Sequence, residues 1–433
     1  MAARAESWGR YPRVEQQVLA MMHRDAALPQ PAGSLLPYGN GRSYGDSCLN
    51  GGGSIVRTRG LDRFMSFDAA SGVLRCEAGV LLSEALELCL PRGWFLPVTP
   101  GTKYATVGGA VANDVHGKNH HVAGSFGVHV RAFELLRSDG ERLQCAPHEN
   151  PEWFAATIGG LGLTGLITWA EIQMKRVPGP WLDTETHKFA DLDGFFALST
   201  GAEGRHEYTM AWIDCVSRGA ALGRGLFTSA EHAETPADVV EPRSGRLGIP
   251  FTPPLSLVNR VSLKAFNGLY YHRQRGEVRR TLQHYDPVFY PLDGIRNWNR
   301  MYGPRGFLQH QCVIPMKEAR QGLEELLKQI AASGQGSFLA VLKLFGDKPS
   351  PGMLSFPRPG ATLALDFPNA GPGTFRLLER LDAIVAAAGG AVYPAKDARM
   401  SGAHFRQFFP SWERFQAYID PRFSSSFWRR VME

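Results

Sequence analysis

The chain has 433 residues, 44% of them hydrophobic and 20% charged, which suits a globular protein of two or three domains with a sizeable core. A formal charge of +6 is too small to indicate nucleic acid as a partner and suits an anionic substrate or an anionic membrane surface equally. Six cysteines without a CxxC pair, no signal-like apolar start and no run of roughly twenty apolar residues predict free thiols in a cytoplasmic protein without a transmembrane segment.

In chain order, the first distinctive feature is a glycine-rich stretch at 38–46, YGNGRSYGD. Strands at 64–68 and 73–78 flank Ala-Ala-Ser-Gly and predict a hairpin. Ser83 then reads as the cap of a helix carrying Leu86, Cys89 and Leu90, ended by Pro91-Arg92-Gly93. A second glycine-rich stretch fills 100–127, PGTKYATVGGAVANDVHGKNHHVAGSFG. Glycine lets backbone N–H groups approach a bound anion or ring, so two such loops point to a large phosphate-bearing ligand, a dinucleotide cofactor. A second hairpin is predicted at 133–137 and 142–145, a helix at 153–158, and a strand at 165–173. Residues 1–180 thus read as an α+β unit built around loops.

Residues 181–395 read differently. The segment 229–254 is rich in Pro, Glu, Gly and Ser and predicts a mobile loop. Its neighbour 260–280 sets six cations against Glu277, with Phe266, Tyr270 and Tyr271 interleaved. That segment is either a lid or surface for an anionic or lipid-bearing substrate or a solvated helix face. Strands at 309–314, 337–345, 361–367 and 391–394 alternate with helices at 316–332 and 375–388 in a split βαβ order. An antiparallel sheet with helices on one side follows, and no internal repeat is visible. The tail 405–431 is helical and aromatic and could return to the first unit.

Period-two alternation assigns Gln309, Gln311 and Val313 to one face of their strand. Val341, Lys343 and Phe345 share a face, as do Thr362, Ala364 and Asp366. Lysine inside FLAVLKLFG is costly to bury unpaired, so Lys343 reaches solvent or serves a ligand. Lys396, in VYPAKDARMS, is either a base for a carbinol proton or part of a surface turn with Asp397. Among the histidines, His116 lies between glycines and is the candidate for touching cofactor or substrate, whereas His120 and His121 read as structural. No carboxylate or cysteine set accompanies them, so no metal is expected. GGLGLTG at 159–165 precedes a strand and lacks a downstream acid, which excludes a Rossmann loop. No P-loop, GxSxG or HExxH occurs.

The loop Gly39-Asn40-Gly41-Arg42-Ser43-Tyr44-Gly45-Asp46 resembles the pyrophosphate loop of the vanillyl alcohol oxidase/p-cresol methylhydroxylase-type FAD flavoproteins. Pro100-Gly101-Thr102 through Val107-Gly108-Gly109-Ala110 resembles their second FAD segment. HGKNHHVAGSFGVHV and VYPAKDAR look most like the branch that oxidises the 2-hydroxyl of decaprenylphosphoryl ribose. The resemblance implies an FAD-binding PCMH-type domain at 1–180, a substrate-binding domain at 181–395, and a segment 396–433 rejoining the FAD domain. It also implies hydride transfer from a sugar carbinol to the flavin, with a small-polyol or aldonolactone oxidase as the alternative.

By position, the resemblance places Gly39, Asn40, Gly41, Arg42, Ser43 and Tyr44 on the cofactor, with Gly101 and Thr102. Thr106, Val107, Gly108, Gly109 and Asn113 join them from the second segment, with His116, Gly117, Asn119, His121, Gly124 and Ser125. Ile167 and Tyr393 complete that set. Lys118, Gln309, Gln311, Val341, Lys343, Phe345, Thr362, Ala364 and Lys396 would meet the substrate, and Lys396, His116 and Tyr44 would be catalytic. The decaprenyl branch has an asparagine and a cysteine where Thr362 and Ala364 stand, so a thiol-directed inhibitor has no target there. Covalent members carry a flavin-linking histidine where this chain has Arg42, so FAD is expected to be non-covalent. Expected partners are a sugar or lipid-linked sugar, an NAD(P)H-dependent reductase completing an epimerisation, and peripherally the inner membrane face.

Overall fold

A computed structural model describes residues 5–234 and 247–433. The N-terminal part holds two small sheets and the separate strand pair Trp94–Phe95 with Lys175–Arg176. In the first, Gln17–Ala20 and Leu35–Tyr38 run parallel to the central Ser54–Arg57. The second has five antiparallel strands in the order Phe64–Asp68, Val73–Glu77, Leu166–Gln173, Val130–Leu136, Arg142–Cys145. Both expected hairpins are therefore present, one on each side of Leu166–Gln173. Leu74, Cys76, Phe133 and Ile172 pack with Leu82, Ala85, Leu86 and Cys89 from the helix Leu82–Cys89. Ser83 does not cap that helix. It lies in the first turn, and the Glu84 carboxylate accepts the Leu81 N–H at 2.8 Å instead.

The large sheet that follows has eight antiparallel strands. Its order is Val278–His284, Trp181–Phe189, Gly225–Ala233, Tyr208–Ile213, Val341–Phe345, Gly360–Pro368, Phe307–Ile314, Ala391–Val392. The half from Phe307 onward is the expected split βαβ unit, with the helices Met316–Ser333 and Pro372–Ala387 burying Leu323, Leu326, Leu327, Leu377 and Leu381 against one face. The half from Trp181 to His284 has the same element order and the same strand order, mirrored about the pairing of Ala211 with Leu342. A structural repeat thus exists where the sequence shows none. The halves differ in their second helix: Arg260–His272 packs Tyr270 on Trp212, on the face opposite Ala211 and Ile213.

Two expected boundaries shift. Residues 229–233 continue the strand Gly225–Ala233 rather than opening a loop, because each pairs with Trp181–Phe189. Leu247–Gly248 pairs with Ile295–Arg296, and the rest of that expected loop, 235–246, lies outside the described residues. Residues 337–340 precede the strand rather than belonging to it, since the Ser337 hydroxyl bonds the Leu339 carbonyl and accepts the Leu339 N–H. The last helices, Gly402–Phe408, Trp412–Gln416 and Ser426–Met432, lie against the N-terminal part: Ser426 N–H donates to the Leu49 carbonyl and Arg430 pairs with Asp46.

Candidate active site

A cavity of about 410 Å³ lies between the glycine-rich loops and the face of the large sheet opposite the helices Met316–Ser333 and Pro372–Ala387. The first loop contributes Gly39, Asn40, Gly41, Arg42, Ser43 and Tyr44 to its wall. Gly41 sits at φ +61, and a Cβ there would strike the Tyr38 hydroxyl, so the loop needs glycine at that point. Asn40 Nδ2 donates to the Tyr104 carbonyl at 2.8 Å and ties the first loop to the second. The second loop contributes Gly101, Thr102, Thr106, Gly108, Gly109 and Asn113, then His116, Gly117 and Lys118. Thr106 caps the short helix Val107–Ala112 by accepting the Gly109 N–H.

Arg42 stacks over the Trp8 ring at 4.0 Å and near the Tyr104 ring at 5.2 Å. Its Nε is buried without a hydrogen-bond partner, and burial lowers its pKa. An orphaned guanidinium nitrogen on a glycine-lined wall is a donor waiting for an anion.

The opposite wall is set by strand register. Gln309 lies opposite Asp366, Gln311 opposite Ala364, and Lys343 opposite Thr362, while Val341 pairs with Ala364 from the other side. These side chains share the face opposite the helices Met316–Ser333 and Pro372–Ala387, and all of them line the cavity. Gln309 donates to Asp366 Oδ1 at 2.6 Å, and the Tyr302 hydroxyl approaches Oδ2 at 3.5 Å. Lys396 Nζ lies 3.7 Å from the centre of the Tyr44 ring. Burial lowers the Lys396 pKa and raises that of Asp366, each opposed by the other's charge. Burial also holds the Tyr44 phenol well above its usual range.

His116 joins the two walls. Gln311 Nε2 lies 2.9 Å from its Nε2, and Lys343 Nζ lies 3.1 Å from its Nδ1. Lys343 also donates to the Gly117 carbonyl at 2.6 Å. Burial lowers the pKa of His116 and Lys343 well below their usual values, and each lysine charge nearby pushes the same way. One arrangement satisfies every contact: Gln311 donates to Nε2, and Nδ1–H donates to a neutral Lys343 amine. Lys118 donates to the Phe289 carbonyl at 3.0 Å, and burial lowers its pKa to about 8.

Six of the residues expected at the site do not line this cavity. Asn119 is turned away by bonds to the Pro97 carbonyl and Glu207, and His121 by its contact with the His206 carbonyl. Gly124 packs on Val128 and Lys348, and Ser125 is buried behind His116 at an isolated bridge. Val107 points into the core, and Phe345 stands edge-on behind the His116 ring at 4.8 Å.

Other wall residues carry no motif. Pro287–Asp293 contributes Val288, Phe289, Leu292 and Asp293, and Trp298 follows. Asp293 accepts the Thr102 hydroxyl at 2.9 Å and the Lys103 N–H at 2.9 Å, so it braces the second loop from 190 residues away. Leu161 and Gly162, from the stretch excluded as a Rossmann loop, also reach the wall. A glycine cluster was the available signal there; for Asp293 there was none.

Residues 11–146 match the FAD binding domain family. The whole chain is similar to decaprenylphosphoryl-beta-D-ribose oxidase of Mycolicibacterium smegmatis, with 35% identity over 99% of this chain and 97% of that protein. The chain belongs to that family of FAD-dependent oxidoreductases. An uncharacterised Streptomyces coelicolor protein is 37% identical over 81% of this chain and all of its own length. A putative D-arabinono-1,4-lactone oxidase of Neurospora crassa is 28% identical over 29% of the chain.

FAD fits what this flavoprotein presents. Both glycine-rich loops line one cavity, a Cβ on Gly101 would meet only open space, and the unpartnered Arg42 nitrogen faces the same wall. Gly39 to Ser43, Gly101, Thr102, Gly108, Gly109 and Ile167 line this cavity and would hold the cofactor. Among the described residues, no helix is long and apolar enough to cross a membrane.

Proposed function

We propose that this flavoprotein oxidises a secondary hydroxyl of a polyprenyl-phosphate-linked pentose to a ketone, at the wall formed by Lys396, Gln309, Gln311 and Lys343. The observation that carries the reading is Lys396: a buried amine facing the cavity, with lowered pKa and, among the described residues, no carboxylate in hydrogen-bond contact. An amine that is neutral near pH 7 can take a hydroxyl proton, and the Tyr44 ring face 3.7 Å away stabilises the ammonium that results. Asp366, held by Gln309, supplies the counter-charge without touching the amine. Bound FAD supplies the hydride acceptor. His116, neutral and held through both ring nitrogens by Gln311 and Lys343, fixes the polar wall that meets the sugar, while Lys118 offers charge to a phosphate. Arg42 stands at the position of the flavin-linking residue of covalent family members and cannot form that bond, so FAD is held non-covalently.

The test is an anaerobic titration following flavin bleaching with a polyprenyl-phosphate pentose, free pentoses, alditols and aldonolactones. Bleaching by the lipid-linked sugar at micromolar concentration, with the free compounds inert, is expected. Bleaching by an alditol or lactone alone refutes the lipid-linked substrate and leaves a small-polyol or aldonolactone oxidase.

A further inference from the structure

Among the described residues, nine of the fourteen exposed large hydrophobic side chains fall within 247–282. That concentration in a short stretch is not the scatter normal on a protein surface. Its centre is the helix Arg260–His272. Leu263, Asn267 and Tyr271 bury one side of this helix, and on the other Val261 (79% exposed) and Leu269 (76%) line up with exposed Ala265 at four-residue spacing. Phe251 and Leu255, 68% and 78% exposed, extend the apolar surface through the preceding segment.

Cations frame this surface. Arg260, Lys264, Arg273, Arg275, Arg279 and Arg280 face a single carboxylate within 260–280, Glu277. Arg280 is paired with Glu185 across the sheet, which leaves the balance strongly positive. The same segment borders the cavity: Tyr270 and Arg273 line it, and Val258 and Leu263 pack on Trp298, another of its lining residues.

We infer that this basic, apolar face docks the protein on an anionic phospholipid bilayer, with the cavity at the lipid interface. A free anionic peptide would use the charges but leave Val261, Leu269, Phe251 and Leu255 in water; a bilayer surface satisfies both. Aliphatic side chains enter the acyl boundary while arginines meet headgroup phosphates. The inference rests on the surface itself and not on the proposed substrate, although a lipid-linked sugar would reach the cavity from there.

The test is co-sedimentation of the FAD-loaded full chain with extruded vesicles of phosphatidylcholine, with and without roughly a third phosphatidylglycerol. Binding to the anionic vesicles only, reduced by salt, is expected, and Val261→Glu with Leu269→Glu should lower the partition coefficient about tenfold. Both side chains lie off the cavity wall, so unchanged flavin absorbance shows the variant folded. Equal binding of the variant and the parent, or no binding at low salt, overturns the inference. So does a lipid-free dimer that the variant dissociates, which would assign the face to a second copy of this chain. Failure of the sugar titration with vesicle binding intact would overturn the substrate reading alone.

Discussion

Arg430, three residues from the C-terminal Glu433, offers the most demanding test of how this site is held. Its guanidinium donates to Asp46 through Nε at 2.9 Å and Nη2 at 2.8 Å, and to Asp397 at 3.0 Å. Asp46 follows the loop carrying Tyr44, and Asp397 follows Lys396, so one side chain pins both. Tyr44 N–H donates to the Ala395 carbonyl, and Gly45 lies so close to the Asp397 carbonyl that a Cβ could not fit. Arg430→Met keeps the stem and deletes the charge. Asp397 retains the Arg399 and Met400 N–H donors, but Asp46, 3% exposed, is left without a cation. Stranding one buried carboxylate costs about 3 kcal/mol, the low end for breaking a buried pair, because Arg430 itself is 25% exposed. With a urea m-value of about 3 kcal/mol/M, the unfolding midpoint falls by about 1 M. The pH dependence follows from Asp46, whose pKa burial already raises although Arg430 opposes it. A carboxyl with a raised folded pKa binds more protons folded than unfolded, so its contribution declines as pH rises from about 4 through the folded value. Removing Arg430 raises that value further, so the deficit is largest at pH 7 and shrinks toward pH 4.5. Tryptophan-monitored urea curves at both pH values measure it. A midpoint shift under about 0.3 M at pH 7, or a pH-independent one, refutes the pinning role.

Three further outcomes are expected. Lys396→Met should retain FAD by absorbance yet slow anaerobic flavin reduction at least about 100-fold in stopped flow, the usual worth of a general base; unchanged reduction removes Lys396 from the proton path. Lys118 has its pKa lowered to about 8 by burial, so from pH 8 to about 10.4 the unfolded chain binds more protons and this group's contribution to stability rises with pH. FAD-free Lys118→Met should therefore be more stable than the parent at pH 7.5, with a gap in thermal midpoint that closes by pH 10; a constant gap contradicts the burial argument. Ala364→Cys places a thiol on the cavity wall, and thiol-directed electrophiles should block flavin reduction in it alone. The cavity's own Cys48 is held at about 12 by burial and stays a thiol, so inhibition of the parent protein would count against this reasoning.

What the sequence disclosed and concealed divides along the range of the interactions. Lys343, Gln311 and Thr362 were legible because strand alternation is a local rule, and register then brought three separately read faces together. The glycine loops were legible because left-handed or crowded backbone restricts residue choice at the position itself, as at Gly41. Ser83 misled because a serine and a glutamate one residue apart both suit a helix start, and the longer carboxylate reached Leu81. Asn119 and His121 sit in a recognisable segment, yet Glu207 and the His206 carbonyl, over 80 residues away, turn them from the cavity.

The paired βαββαβ halves were invisible for a related reason. A shared fold needs only a shared burial pattern, and packing tolerates any apolar side chains that fill the volume. What breaks the likeness is functional in position: the second helix of the first half leaves the helical layer and stands on the cavity side, bringing Tyr270 and Arg273 to the wall. Only one half can then present an open polar face, and that face carries Gln309, Gln311, Lys343 and Asp366 opposite the glycine loops. The other half closes the cavity with Trp212, Tyr270 and a basic apolar helix turned outward, so the asymmetry of a repeated fold separates the polar wall opposite the glycine loops from the wall that carries the exposed apolar side chains.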